Sequence, residues 1–139
     1  MIILSVDYGR VRTGIAVCDR DEIIASPVTV IKEVRQEVLA EKIAVLCREK
    51  QAEMIVLGLP KNMDGSEGES ALNVRAFSSV LHEKTQLHVA LQDERCTTVS
   101  AHGYLNVTDT RGKKRKDVID SVSAVIILED YIRYRRNKI

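Results

Sequence analysis

The chain has 139 residues, 45% hydrophobic and 29% charged, and its 21 Lys and Arg against 20 Asp and Glu leave a formal charge of +1. That length suits a single domain over residues 1–139 and leaves no room for the second lobe of a kinase or an actin-like ATPase, while the apolar fraction is too high for a disordered chain. The charge is unevenly spread: residues 111–116 hold five basic side chains in six, and residues 133–138 hold four in six. Cys18, Cys47 and Cys96 are odd in number and widely spaced, which argues against a disulfide framework or a zinc cluster and for a reducing compartment. The opening MIILSVDYGR has neither the basic start nor the cleavage site of a signal peptide, and the apolar runs are too short to span a bilayer. A cytoplasmic protein without membrane contact is expected.

Three short β-type runs open the chain, at residues 2–7, 13–18 and 23–30, and the tight links between them favour antiparallel neighbours. Over residues 34–50, Val34, Val38, Leu39, Ile43, Leu46 and Cys47 recur at helical spacing. A buried strand follows at residues 54–57, stopped by Gly58-Leu59-Pro60, and a polar loop runs to Glu69. Residues 70–83 read as a helix with Ser70 suited to its N-cap. A fifth strand at residues 87–92 ends at Asp93-Glu94, residues 98–105 read as a short helix, and the basic run 107–116 reads as a loop. The last helix spans residues 117–133, with Val118, Val122, Val125, Ile126 and Ile132 stepping at three and four. The order β-β-β-α-β-α-β-α predicts one mixed sheet with helices on both faces, since each parallel return needs a right-handed helical crossover.

Acids at the carboxyl ends of buried strands cost desolvation energy unless a cation compensates. Asp7 ends the run Ile-Ile-Leu-Ser-Val, and Gly9 lets the backbone come close to whatever Asp7 holds; the competing account is an aspartate opening a tight turn. Asp93 and Glu94 repeat the pattern after the fifth strand. Adjacent strand residues point to opposite faces, so one of the pair can enter a site while the other caps a helix or pairs with Arg95, and a bulge would exchange them. Asp120 stands in the first turn of the last helix, where Asp117 as N-cap and Asp120 at N3 would also account for both. Acids at two strand ends and a helix start, gathered at one edge, would repel unless divalent cations sat among them, and hard oxygen ligands suit Mg²⁺ or Mn²⁺. Such cations activate water and stabilise the leaving oxygen in phosphodiester hydrolysis. Arg12, Arg95, Lys113, Lys114, Arg115 and Lys116 could hold a nucleic-acid backbone, although a basic loop is by itself a weak signal. His82, His88 and His102 share no metal-binding spacing, and neither a nucleophile elbow nor a P-loop occurs.

Taken in order, Val6-Asp7-Tyr8-Gly9, Arg12-Thr13-Gly14-Ile15-Ala16, Gly58-Leu59-Pro60 with Asn62-Met63-Asp64-Gly65, Asp93-Glu94-Arg95 with Thr97-Thr98, and Ile119-Asp120-Ser121 with Ala124-Val125-Ile126-Ile127-Leu128 resemble the YqgF family over essentially the whole chain. Its members are described as pre-16S rRNA nucleases and as Holliday-junction-resolvase-like proteins of the RNase H-like fold. The resemblance implies a five-stranded sheet in order 3-2-1-4-5, a divalent-metal nuclease, and a bacterial cytoplasmic role in trimming the 5′ end of the 16S rRNA precursor. It implies catalytic roles for Asp7, Asp93 or Glu94, and Asp120, with Asp7, Glu94 and Asp120 as the metal ligands. Two departures stand out. Gly58 occupies the position after the fourth strand where a resolvase would carry a glutamate, so the second acid must come from the fifth strand, about 9.6 Å from the first at 4.8 Å per strand. Val118 occupies a position held by lysine in many relatives, leaving Lys116 or Lys114 to replace it.

Pre-16S rRNA is therefore the expected partner of a monomer or weak homodimer. Branched DNA is the alternative substrate, and its symmetric cleavage would require a dimer. A non-catalytic RNA-binding assembly factor is the third reading; it predicts salt-sensitive binding that survives loss of Asp7.

Overall fold

The computed structural model describes residues 1–93, the backbone of residues 112–121, and residues 122–137. Five strands, β1 (Ile3–Asp7), β2 (Arg12–Cys18), β3 (Ala25–Lys32), β4 (Met54–Leu59) and β5 (His88–Asp93), are accompanied by helices α1 (Gln36–Lys50), α2 (Glu69–Thr85) and α3 (Gly112–Asn137). The strands form one sheet in the order β3-β2-β1-β4-β5. The two short turns make β1, β2 and β3 an antiparallel meander, whereas β4 lies parallel to β1 and β5 parallel to β4. That mixed pairing agrees with the expectation and follows from the connections: α1 and α2 are the crossovers that parallel returns require.

Period-two alternation divides the core. Leu4, Val6 and Ile15 join Leu39, Ile43, Phe77 and Leu81 in the layer beneath α1 and α2. Ile3, Ala16, Cys18 and Val56 join Ala124, Ile127, Leu128 and Ile132 in the layer beneath α3. Odd-numbered residues of β1 and even-numbered residues of β2 therefore share the α3 face.

Several boundaries differ from the sequence reading, each for a local reason. β3 begins at Ala25, not at residue 23, because the Asp19 carboxylate accepts hydrogen bonds from the amides of Ile23 (2.7 Å) and Ile24 (3.0 Å) and keeps both in the turn. β4 runs through Leu59, so Pro60 and not Gly58 stops the strand. α2 has Gly68 as its N-cap, without a side-chain cap, so Ser70 is already helical. α3 begins at Gly112, which puts residues 112–116 in a helix where a loop was expected; Lys and Arg are good helix formers, and their mutual repulsion costs only tenths of a kcal/mol. Asp117 is consequently inside the helix rather than its N-cap, and Asp120 lies in its third turn, not its first. The helix expected at residues 98–105 and the loop residues 107–111 lie outside the described residues. No described helix is long and apolar enough to cross a membrane.

Candidate active site

Asp7 is the last residue of β1, half-buried, and its Cα is directly opposite Gly14 of β2. The parallel register continues the row through Gly58 of β4, one step beyond the Val6–Leu57 pair, to Gln92 of β5. Asp7 is thus flanked in its cross-strand row by two glycines, Gly14 and Gly58. One step farther toward the same edge, Arg12 and Lys32 stand directly opposite each other on β2 and β3 and share the face of Asp7. The Nε of Arg12 is buried. Lys32 was not picked out from sequence; extending the period-two pattern of β3 by two residues would have found it.

The hairpin that carries Asp7 and Arg12 allows no Cβ at Gly9, because one would collide with the carbonyl oxygen of Arg12. The glycine expected to clear space for a ligand is thus explained by the chain's own close approach. On the opposite face Tyr8 stacks on Phe77 with centroids 4.4 Å apart and planes inclined by 16°, and its hydroxyl accepts a hydrogen bond from Gln36 Nε2 at 3.1 Å. These contacts hold the strand end from below. Beyond β4, the loop containing Asn62-Met63-Asp64-Gly65 folds on itself: Asn62 Nδ2 donates to Ser66 Oγ (2.9 Å), Ser66 Oγ to Asp64 Oδ1 (2.6 Å), and Gly65 takes a φ of 89°.

Hydrogen bonds tie helix α3 to β1 and to the turn between β2 and β3. Ser5 Oγ donates to the Ala124 carbonyl at 2.7 Å. Near the other end, Arg135 Nε donates to Glu22 Oε1 at 2.9 Å, and the Met1 ammonium lies 2.9 Å from Glu22 Oε2. Burial pushes the Glu22 carboxyl up, but the hydrogen bonds from Arg135 and the ammonium outweigh it and leave it below the usual range. The helix therefore runs antiparallel to β1, and its residues before Ala124 extend toward the end of the sheet that bears Asp7.

Among the expected site residues, Asp7 and Arg12 come together on one face and one edge. Asp93 ends β5 at the same edge but shares the parity of Val89 and Leu91, which pack under α1 and α2. Glu94 and Arg95 lie outside the described residues. Asp120, Lys113, Lys114, Arg115 and Lys116 are described in their helical backbone only. Among the described residues no three His, Cys, Asp or Glu side chains gather at one place. Of the histidines, His82 places Nδ1 2.8 Å from the Leu87 carbonyl at the end of α2, a structural contact.

Comparison with known proteins gives the chain a family. A family model described as "RuvX: Holliday junction resolvase" matches residues 1–134. The chain belongs to the RuvX family. A relative from Rhodopirellula baltica is 40% identical over 134 residues, covering 94% of this chain and 78% of its own length, and carries the name "Putative pre-16S rRNA nuclease". Another with the same name, from Halothermothrix orenii, is 40% identical over 135 residues, covering 97% and 96%. Among solved structures, the Thermus thermophilus RuvC complex with a Holliday junction substrate superposes with a TM-score of 0.61 at 12% identity over 99% of this chain and 96% of that one. The fowlpox virus resolvase complex with Holliday junction DNA gives 0.55 at 14% identity over 97% and 99%. At those identities the likeness is one of fold, and the RuvX chain shares the RNase H-like architecture of these resolvases.

Proposed function

We propose that this RuvX-family chain is a metal-dependent nuclease that hydrolyses phosphodiester bonds in RNA, acting in the cytoplasm on the 5′ end of pre-16S rRNA. The observation that supports this reading is the Ser5–Ala124 bond, which with the Arg135–Glu22 contact runs α3 antiparallel to β1 and directs the helical turns preceding Ala124 toward the edge that bears Asp7. The relatives' name supports the substrate.

A half-buried carboxylate at a strand end offers hard oxygen atoms, which suit Mg²⁺ or Mn²⁺. Asp7, Glu94 and Asp120 would hold the ion, with Asp93 the alternative acid from β5. Once bound, the ion would lower the pKa of a water and stabilise the departing oxygen. The chain's own contribution is position. β1 fixes Asp7 through Tyr8 beneath and Ser5 above, while Arg12 and Lys32 would receive the phosphates flanking the cleaved bond, and Arg95 and the cations at 113–116 would extend that contact along the strand.

Incubating the purified protein with Mn²⁺ and a 16S precursor carrying its 5′ leader should give a shortened product, and chelation or Asp7→Asn should abolish it. A four-way DNA junction assayed in parallel tests the resolvase alternative. Cleavage undiminished by Asp7→Asn would overturn the assignment, and metal-independent RNA binding without cleavage would favour an assembly factor.

A further inference from the structure

The second basic run, residues 133–138, has no part in the site above, yet it borders a cleft of about 720 Å³ beside the carboxyl-terminal half of α3. Gln92 lines that cleft, and Gln92 occupies the same cross-sheet row as Asp7. Tyr131, Tyr134 and Arg136 line it from the helix. The cleft therefore connects the row of the candidate catalytic carboxylate to an aromatic and cationic surface near the far end of α3.

The chemistry of that surface is specific. Tyr134 is 49% exposed, and its ring lies against Tyr131 with centroids 6.1 Å apart and planes inclined by 25°. Arg135 is committed to Glu22, whose second oxygen is taken by the ammonium. Arg136 instead donates to the Glu22 backbone carbonyl and makes no salt bridge there, its charge acting weakly on the exposed Asp19. Asp21, next to Glu22 in the chain, lines the same cleft and would repel a phosphate on the side of the β2–β3 turn. An exposed ring beside a guanidinium is the combination that binds single-stranded nucleic acid without reading its sequence, by stacking a base and neutralising a phosphate.

We propose that this cleft seats a single-stranded RNA segment of the substrate beyond the cleaved bond, with a base stacked on Tyr134 and a phosphate at Arg136. The inference rests on the nuclease reading for the position of that bond, not for the binding itself. From residue 120 to residue 134 the helix rises about 21 Å. A single strand has to cover that distance to reach Tyr134, which an extension of eight nucleotides can do and one of two cannot.

The test measures binding by fluorescence anisotropy without divalent ions, so cleavage plays no part. A stem is given a single-stranded extension of two or eight nucleotides, on the 5′ side and separately on the 3′ side. The wild type should bind the eight-nucleotide form about tenfold more tightly on one of the two sides, and Tyr134→Ala with Arg136→Gln should remove that preference. Tyr134→Phe should restore it, because the ring is kept. Arg136→Gln alone should reduce the slope of log affinity against log salt by about 0.7, which covers the case in which the double variant is misfolded. A preference unchanged in the double variant, or an eight-nucleotide extension bound equally well when base-paired, would overturn the cleft. Failure of RNA cleavage in Mn²⁺ would instead count against the nuclease reading alone.

Discussion

Ser5 and Ala124, 119 residues apart in sequence, are joined by a buried 2.7 Å hydrogen bond from the serine hydroxyl to the helix carbonyl. Both residues are fully buried between β1 and α3, and Ser5 precedes Asp7 by one full period of the strand. The bond fixes how far α3 slides along β1, and with it the height of the turn that carries Asp120. Ser5→Ala should lower stability by about 1 kcal/mol, the net worth of one hydrogen bond whose acceptor keeps its helical partner. Nuclease activity should fall several-fold more than that loss of folded protein explains. Denaturant midpoints and turnover, measured on the same preparation, separate the two effects.

Gly9 should tolerate no side chain. The Arg12 carbonyl occupies the space a Cβ would need, and both partners are backbone, so relief requires the β1–β2 hairpin to open. Gly9→Ala should cost roughly 1–3 kcal/mol, the range for forcing atoms into packed structure. It should also displace Asp7, two residues away, and lower activity at temperatures where the protein remains folded; thermal melts with parallel cleavage assays check both.

Much of this molecule was legible before its structure. Alternating Leu4, Val6 against Ile3, Ser5, and the i, i+3, i+4 stripe of α1, follow from local periodicity, so a mixed sheet and the location of Asp7 at a strand end could be reasoned from the chain, while the order 3-2-1-4-5 came from the resemblance to the YqgF family. What periodicity cannot supply is pairing across the sheet. That Gly14 and Gly58 flank Asp7, or that Lys32 opposes Arg12, depends on register, which a slip of one residue would reverse. The start of α3 was missed because a run of like charges reads as a loop, although each residue in it favours helix. The role of Ser5 has no local signal, because its contact lies 119 residues away.

Glu33 links the end of β3 to the start of α1. Its carboxylate accepts hydrogen bonds from the Arg35 guanidinium (3.0 Å) and the Arg35 amide (3.1 Å), and these, in that order, draw the group from 4.5 down to about 2. A carboxyl that is more acidic when folded stabilises the protein in full above its unfolded value. That contribution is lost as pH falls from about 4.5 toward 2. Glu33→Gln should therefore be less stable than the wild type at pH 6, and the two should converge near pH 2. Urea midpoints across that range provide the measurement, and a gap that widens on acidification would contradict the role given to Glu33.

The two acids after β5 should separate by function. Asp93 shares the parity of Val89 and Leu91 on the α1 and α2 face, while Asp7 belongs to the α3 face, so the sheet itself stands between an Asp93 side chain following that alternation and the candidate site. Sequence alternation alone assigns the neighbouring Glu94 to the other face. Glu94→Gln should then lower the metal-supported cleavage rate by on the order of a hundredfold or more, because a ligand worth several kcal/mol of charge stabilisation is lost. Asp93→Asn should retain activity within about tenfold of the wild type. Calorimetric titration with Mn²⁺ gives a second readout: affinity should weaken in Glu94→Gln and stay near the wild-type value in Asp93→Asn. The reverse pattern would mean that a bulge at the end of β5 exchanges the two side chains, and the ligand set would become Asp7, Asp93 and Asp120.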